Sequence, residues 1–209
     1  FVEIATTGNA VDFGDLATAT QNGSTSCSST RAVLNGGHTG SAAATLTYIT
    51  MASQGNSIDF GDRTEAKDST GATSNSVRGI AAGGGTSTVI DYYNINNGGT
   101  AVDFGDLTYG RATPNATSQA HGGLNDGYQG TRIAPIPMGG GSGQRALFGG
   151  GYISAGTKVI DTVNISTLGN SSKFGDLTSA RLFAGAAGGS SLRFLLSGGT
   201  DPGRSNVIE

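Results

Sequence analysis

The apolar residues of the chain fall in short runs rather than in long stripes. Val89-Ile90-Asp91-Tyr92-Tyr93-Asn94-Ile95 and Val159-Ile160-Asp161-Thr162-Val163-Asn164-Ile165 are rich in β-formers, and each leads into a glycine-containing turn. Such runs predict strands. A second kind of run starts on an arginine and closes on a glycine pair, as in Arg31-Ala32-Val33-Leu34-Asn35-Gly36-Gly37 and Arg193-Phe194-Leu195-Leu196-Ser197-Gly198-Gly199, with further copies at residues 78–84 and 145–150. These predict short apolar strands ending in turns. Glu, Lys, Leu and Met are sparse while Thr, Ser, Val, Ile and Gly dominate, which disfavours helices. The expected fold class is all-β.

The runs recur in a fixed order. The tripeptide Phe-Gly-Asp occurs at Phe13-Gly14-Asp15, Phe60-Gly61-Asp62, Phe104-Gly105-Asp106 and Phe174-Gly175-Asp176, at intervals of 47 (13 to 60), 44 (60 to 104) and 70 (104 to 174). A turn precedes each one: Gly8-Asn9, Gly55-Asn56, Gly99-Thr100 and Gly169-Asn170. One unit is three or four short strands over roughly 47 residues, the size of an antiparallel propeller blade. The ends share this register. Val207-Ile208-Glu209 matches Val89-Ile90-Asp91, and Val2-Glu3-Ile4-Ala5-Thr6-Thr7 matches the residues after that segment in the other copies. Either the terminal strands complete one shared blade and close a ring without exposed edges, or the chain is one period of a longer array. It opens at Phe1 without an initiator Met or a signal-peptide pattern, so an excerpt of a longer polypeptide is expected.

An Arg near the end of the preceding strand (Arg111, Arg181), an apolar strand ending in Gly-Gly, a Val-Ile-Asp/Glu strand and a closing aromatic strand succeed one another in an order that resembles kelch repeats. Phe stands at the closing position where kelch repeats commonly have Trp. More narrowly, the Gly-Asn-x-x-Asp-Phe-Gly-Asp-Leu-Thr wording resembles kelch-like repeats in structural proteins of tailed bacteriophages, including tail fibre and adhesin components. The resemblance spans residues 1–209 as a single repeat domain. It implies a β-propeller of four blades and a place on the virion, in the phage tail or surface, with an extracellular or cell-surface setting as the alternative.

Composition narrows the chemistry. Charged residues are 13% of the chain and the formal net charge is −3, so no basic excess is available to neutralise nucleic-acid phosphates. No apolar run approaches the roughly 18 residues of a membrane helix, and neither nucleic acid nor membrane insertion is expected. Cys27 is the single cysteine, which precludes an internal disulfide, and with His38 and His121 as the two histidines the usual zinc sets are not available.

The repeated motifs read as structural. Asp-Phe-Gly at Asp12, Asp59 and Asp103 would hold magnesium in a protein kinase, but the other kinase elements are missing and the triplets recur at blade period. The expected roles are Phe buried between blades, Gly allowing a bulge or close backbone approach, and Asp accepting turn amides. Asp12/Asp15, Asp59/Asp62 and Asp103/Asp106 are carboxylate pairs of the kind calcium accepts. Lys173 replaces the first acid in the fourth copy, and a repeated turn needs no ion, so no cofactor is expected and calcium is the one candidate. Glycine triplets such as Gly83-Gly84-Gly85 lack the Gly-Lys-Ser/Thr of a phosphate loop and read as turns.

The break in period is where function is expected. The longest interval holds about 23 extra residues, placed at approximately 112–138. That stretch contains His121, Asn125, Asp126, Tyr128 and Arg132, a stacking ring with planar hydrogen-bonding groups suited to a sugar. A duplicated hairpin is the plainer alternative, because Thr131-Arg132 followed by Gly139-Gly140 imitates the arginine-to-glycine strand. The expected function is a non-enzymatic virion module, a tail fibre or adhesin component. It would be a homo-oligomer that contacts other virion or surface proteins and attaches to a host-surface glycan. Alternatives are a bacterial surface or filament subunit and a polysaccharide-acting propeller enzyme, for which Asp126, His121 and Tyr128 would be the candidates.

Overall fold

A computed structural model of the chain describes residues 1–3, 6–118, 144–184, 187–189, 193–200 and 203–209. Among them the protein is all-β, without a helix. Three four-stranded antiparallel sheets succeed one another, each with its strands side by side in chain order. The first contains β1 (Ser24–Cys27), β2 (Arg31–His38), β3 (Ala42–Thr50) and β4 (Ile58–Asp62). The second contains β5 (Gly71–Ser74), β6 (Arg78–Ala82), β7 (Val89–Asn94) and β8 (Val102–Asp106), and the third β9 (Asn115–Ser118), β10 (Arg145–Gly149), β11 (Thr157–Asn164) and β12 (Ser172–Arg181). A pair, β13 (Ala187–Gly189) and β14 (Phe194–Leu196), begins a fourth sheet. Hydrogen bonds exchanged between Leu196 and Glu209 continue it toward a third strand.

The strand register repeats with the sequence. Arg31 faces Thr50, Arg78 faces Asn94 and Arg145 faces Asn164. In each fourth strand the register slips at the tripeptide: Gly61 faces Leu46 and Asp59 faces Thr47, so Phe60 is the residue passed over. Phe104 and Phe174 are passed over in the same way. A bulge of this kind bends and twists the strand locally. Phe60 and Phe104 are directed into the two hydrophobic clusters between sheets, with Val33, Leu46, Tyr93 and Ile95 around the first and Ile80, Phe148, Val163 and Ile165 around the second.

The first strands of the sheets lie side by side in the order β1, β5, β9, β13. A hydroxyl seam fastens them: Ser74 Oγ donates to the Cys27 carbonyl at 2.7 Å, and Ser118 Oγ donates to the Ser74 carbonyl at 2.5 Å. Cys27, Ser74 and Ser118 face Ala32, Gly79 and Ala146, which makes them the same position of successive units.

One of the two arrangements left open for the chain ends is corrected. Closure through pairing of the terminal strands is not made among the described residues. Phe13 and Asp15 instead meet the first sheet, where Gly55 N donates to the Phe13 carbonyl at 2.9 Å and Ser57 N to that of Asp15 at 2.8 Å. Among the described residues the sheets do not form a closed barrel. Asn115–Ser118, within the expected insertion, is the first strand of the third sheet. The extra length falls between β9 and β10, where the other sheets need only residues 28–30 and 75–77.

Candidate functional site: the joints between sheets and a notch where the repeat breaks

Each sheet is joined to the next through the same backbone contacts. Phe60 O accepts from Gly99 N and Asp62 O from Ala101 N, both at 2.7 Å; Phe104 O accepts from Gly169 N at 2.9 Å and Asp106 O from Ser171 N at 2.7 Å. The Gly-Asn turn adds a side-chain bond, since Asn56 Oδ1 accepts from Asp15 N at 2.9 Å and Asn170 Oδ1 from Asp106 N at 3.1 Å. Glycine is required at the meeting point. Gly61 has φ +141°, and a Cβ there would stand 2.5 Å from the Gly99 carbonyl carbon. Asp12 and Asp103 accept from Gly14 N and Gly105 N at 3.0 Å, holding the tripeptide's own turn.

A buried ion pair crosses the inner part of these joints. Arg63 Nε meets Asp91 Oδ2 at 2.8 Å and Arg111 meets Asp161 at 2.9 Å, with both side chains of each pair inaccessible to solvent. Thr64 and Thr108 hydroxyls donate to the same carboxylates at 2.5 and 2.6 Å. Arg181 and Glu209 form the next pair at 2.5 Å. Burial pulls the Arg111 guanidinium below its ordinary pKa, against the opposing pull of Asp161. In the joint before the first sheet both partners are replaced together: Thr20 and Thr47 stand at the arginine and aspartate positions, beside a cavity of about 120 Å³. These pairs went unread in the sequence. The available signal was an arginine five residues after the tripeptide's Asp, at Arg111 and Arg181, matched to the acid of each Val-Ile-Asp/Glu run. Arg63, one residue after Asp62, conceals the rule.

The outer part of each sheet carries an aromatic pair. Phe1–Phe13, Tyr48–Phe60 and Tyr92–Phe104 meet edge to face with ring centroids 6.0 Å apart. Arg31 and Arg78 lie over the Tyr48 and Tyr92 rings at 4.6 and 4.9 Å. The third sheet departs from this pattern, with Thr162 and Val163 at the positions of Tyr92 and Tyr93. Arg145 has no tyrosine beneath it and lies 5.9 Å from the Phe174 ring. A notch of about 500 Å³ opens beside Thr162, where the first two sheets have Tyr48 and Tyr92, with Phe104 and Val163 among its apolar walls and Gln144, Arg145, Asn164 and Asn170 among its polar ones. Among the described residues its lining includes one cation and no carboxylate.

Of the residues expected to bind a ligand, His121, Asn125, Asp126, Tyr128 and Arg132 lie outside the described residues. Their chain segment leads directly into Gln144 on the notch wall. Phe60 and Phe104 are buried, Phe13 is half-buried, and Phe174 is 52% exposed. The exposure of Phe174 differs from the expected burial: among the described residues no turn covers the edge at Gly175, and none has an atom within 4 Å of a Cβ position there. Among the described residues no three His, Cys, Asp or Glu side chains converge as they would around a metal ion. The Lys173 ammonium meets the Asp176 carboxylate at 2.8 Å. No known family model and no curated protein matches the sequence.

Proposed function

We propose that the protein is a non-enzymatic virion structural module built of kelch-like propeller blades, a tail fibre or adhesin component, and that its third sheet receives a host-surface glycan. The observation that carries this reading is the notch in the third sheet, where Thr162 stands at the position that Tyr48 and Tyr92 hold in the first two. Sugars are bound by an apolar wall beneath the ring and by planar polar groups around it, and Phe104 and Val163 beside Gln144, Arg145, Asn164 and Asn170 supply both. Among the described residues Arg145 is the charged group of the lining, and a guanidinium there favours a sugar that bears a carboxylate, such as a uronic acid. The site is an exception to the repeat, which is where a repeat protein departs from self-support.

The test is a screen of the purified protein against neutral and acidic oligosaccharides, followed by titration calorimetry on the strongest binder. Arg145→Ala is expected to weaken binding at least tenfold while leaving thermal stability unchanged, since its side chain is exposed; Asn164→Ala is expected to weaken it as much at a small cost in stability, because Asn164 Oδ1 also accepts from Ser166 N at 3.0 Å. Undiminished binding by both variants would overturn the site.

A further inference from the structure

We propose that the joint between the first and second sheets binds ordered water on the terminal nitrogens of Arg63, Nη1 and Nη2. This goes beyond glycan attachment and does not depend on it. The neighbouring joints supply the comparison. Arg63 directly follows its tripeptide, as Leu107 and Leu177 follow theirs, and its N donates to the Ala44 carbonyl at 2.8 Å as Leu107 N does to that of Thr88. Lys67 holds the position of Arg111 and Arg181, since its carbonyl accepts from Gly37 N as theirs accept from Gly84 N and Gly151 N. The guanidinium of this joint therefore comes from a position that the other units give to a buried leucine. Lys67 turns instead to Glu65, with Nζ 3.5 Å from Oε2.

The change of position changes which nitrogens are satisfied. Arg111 donates from Nη1 to the Val159 carbonyl and from Nη2 to the Phe148 carbonyl and Asp161. Arg181 donates from Nη1 to the Gly198 and Val207 carbonyls and from Nη2 to Glu209. In both, Nε is the nitrogen without a partner among the described residues. Arg63 is the inverse: its Nε takes Asp91 Oδ2, the Thr64 hydroxyl takes Oδ1, and Nη1 and Nη2 are buried without an acceptor among the described residues. Buried donors of folded proteins are satisfied by protein or by ordered water. The carbonyls that Arg111 reaches have counterparts here, because Ala81 faces Asp91 as Phe148 faces Asp161, and Val89 faces Asp106 as Val159 faces Asp176. Arg63 bonds neither, and water between the guanidinium and these carbonyls does for this joint what direct bonds do for the next. The occupant is water and not an anion, because the Asp91 carboxylate already balances the guanidinium and a further buried negative charge has nothing to offset it.

Arg63→Leu combined with Lys67→Arg gives this joint the residues of the next one and tests the site. Water-oxygen magnetic relaxation dispersion, which counts long-lived internal water, is expected to find at least one more such molecule in the unaltered chain than in the double variant. A crystal structure of the unaltered chain is expected to show water within hydrogen-bonding distance of Nη1 or Nη2. Equal counts in two folded proteins would overturn the inference. If the double variant does not fold, the crystal structure decides, and protein acceptors on both nitrogens overturn the site. An anomalous signal at the guanidinium after a bromide soak would overturn it too, because that outcome assigns the place to an anion.

Discussion

Asp161 has the most demanding surroundings of any single residue in the joints. Its carboxylate receives the Arg111 guanidinium and the Thr108 hydroxyl in a place solvent does not reach. Asp161→Asn keeps the shape and removes the charge, leaving a buried guanidinium uncompensated. The expected loss is about 3–5 kcal/mol, read from urea unfolding; a loss below about 1 kcal/mol would show that Arg111 is compensated elsewhere. The four tripeptide phenylalanines give a paired comparison at the same scale. Phe104, 3% exposed inside the larger cluster, should cost about 3–5 kcal/mol when changed to Ala. Phe174→Ala, at an exposed ring, should cost less than about 1 kcal/mol at protein concentrations too low for association. Equal losses would remove the distinction between covered and uncovered edges. Tyr93 is a third case, because burial pushes its hydroxyl far above the usual tyrosine pKa and it remains a neutral partner of Ser26 and Asn35.

At the scale of elements, the third strand of the incomplete sheet is held to β12 by one titratable contact. Burial pushes the Glu209 carboxyl up, but the hydrogen bonds from Thr178 together with Arg181 outweigh it and hold the group below the usual glutamate range. A carboxylate depressed in the folded state contributes its stability above the unfolded pKa and loses it as the pH falls through the folded one. Amide protection factors at Leu196 and Gly198, which bond to Glu209 and Val207, should therefore fall on acidification below the ordinary glutamate range, once exchange is corrected for its intrinsic pH dependence. Glu209→Gln should make these protection factors insensitive to pH over the same interval; an unchanged pH response would place the titration elsewhere. The joint before the first sheet, with Thr20 and Thr47 in place of the ion pair, has no equivalent group to titrate.

Over the whole molecule, the sequence revealed whatever repeats within a unit. The β-rich runs, the glycine pairs and the tripeptides predicted strands and turns that the sheets contain, because alternating burial and turn chemistry are local properties. Relations between units were harder to read. Asp91 and Asp161 were visible as strand residues, yet their arginines come from the preceding unit, and Arg63 reaches Asp91 from a shifted position. The notch was illegible because it arises from a difference between units, Thr162 against Tyr48 and Tyr92, whereas the added residues between β9 and β10 make the more conspicuous break in period. The joints also bear on how such a chain changes length. Every sheet offers its successor the donors and acceptors that its predecessor offered it. Excising residues 63–106 would bring Phe60 to the Gly169 turn and leave Arg111 facing Asp161, with no new surface to invent. Size in this architecture is counted in whole sheets, and the chemistry of the joint does not depend on the count.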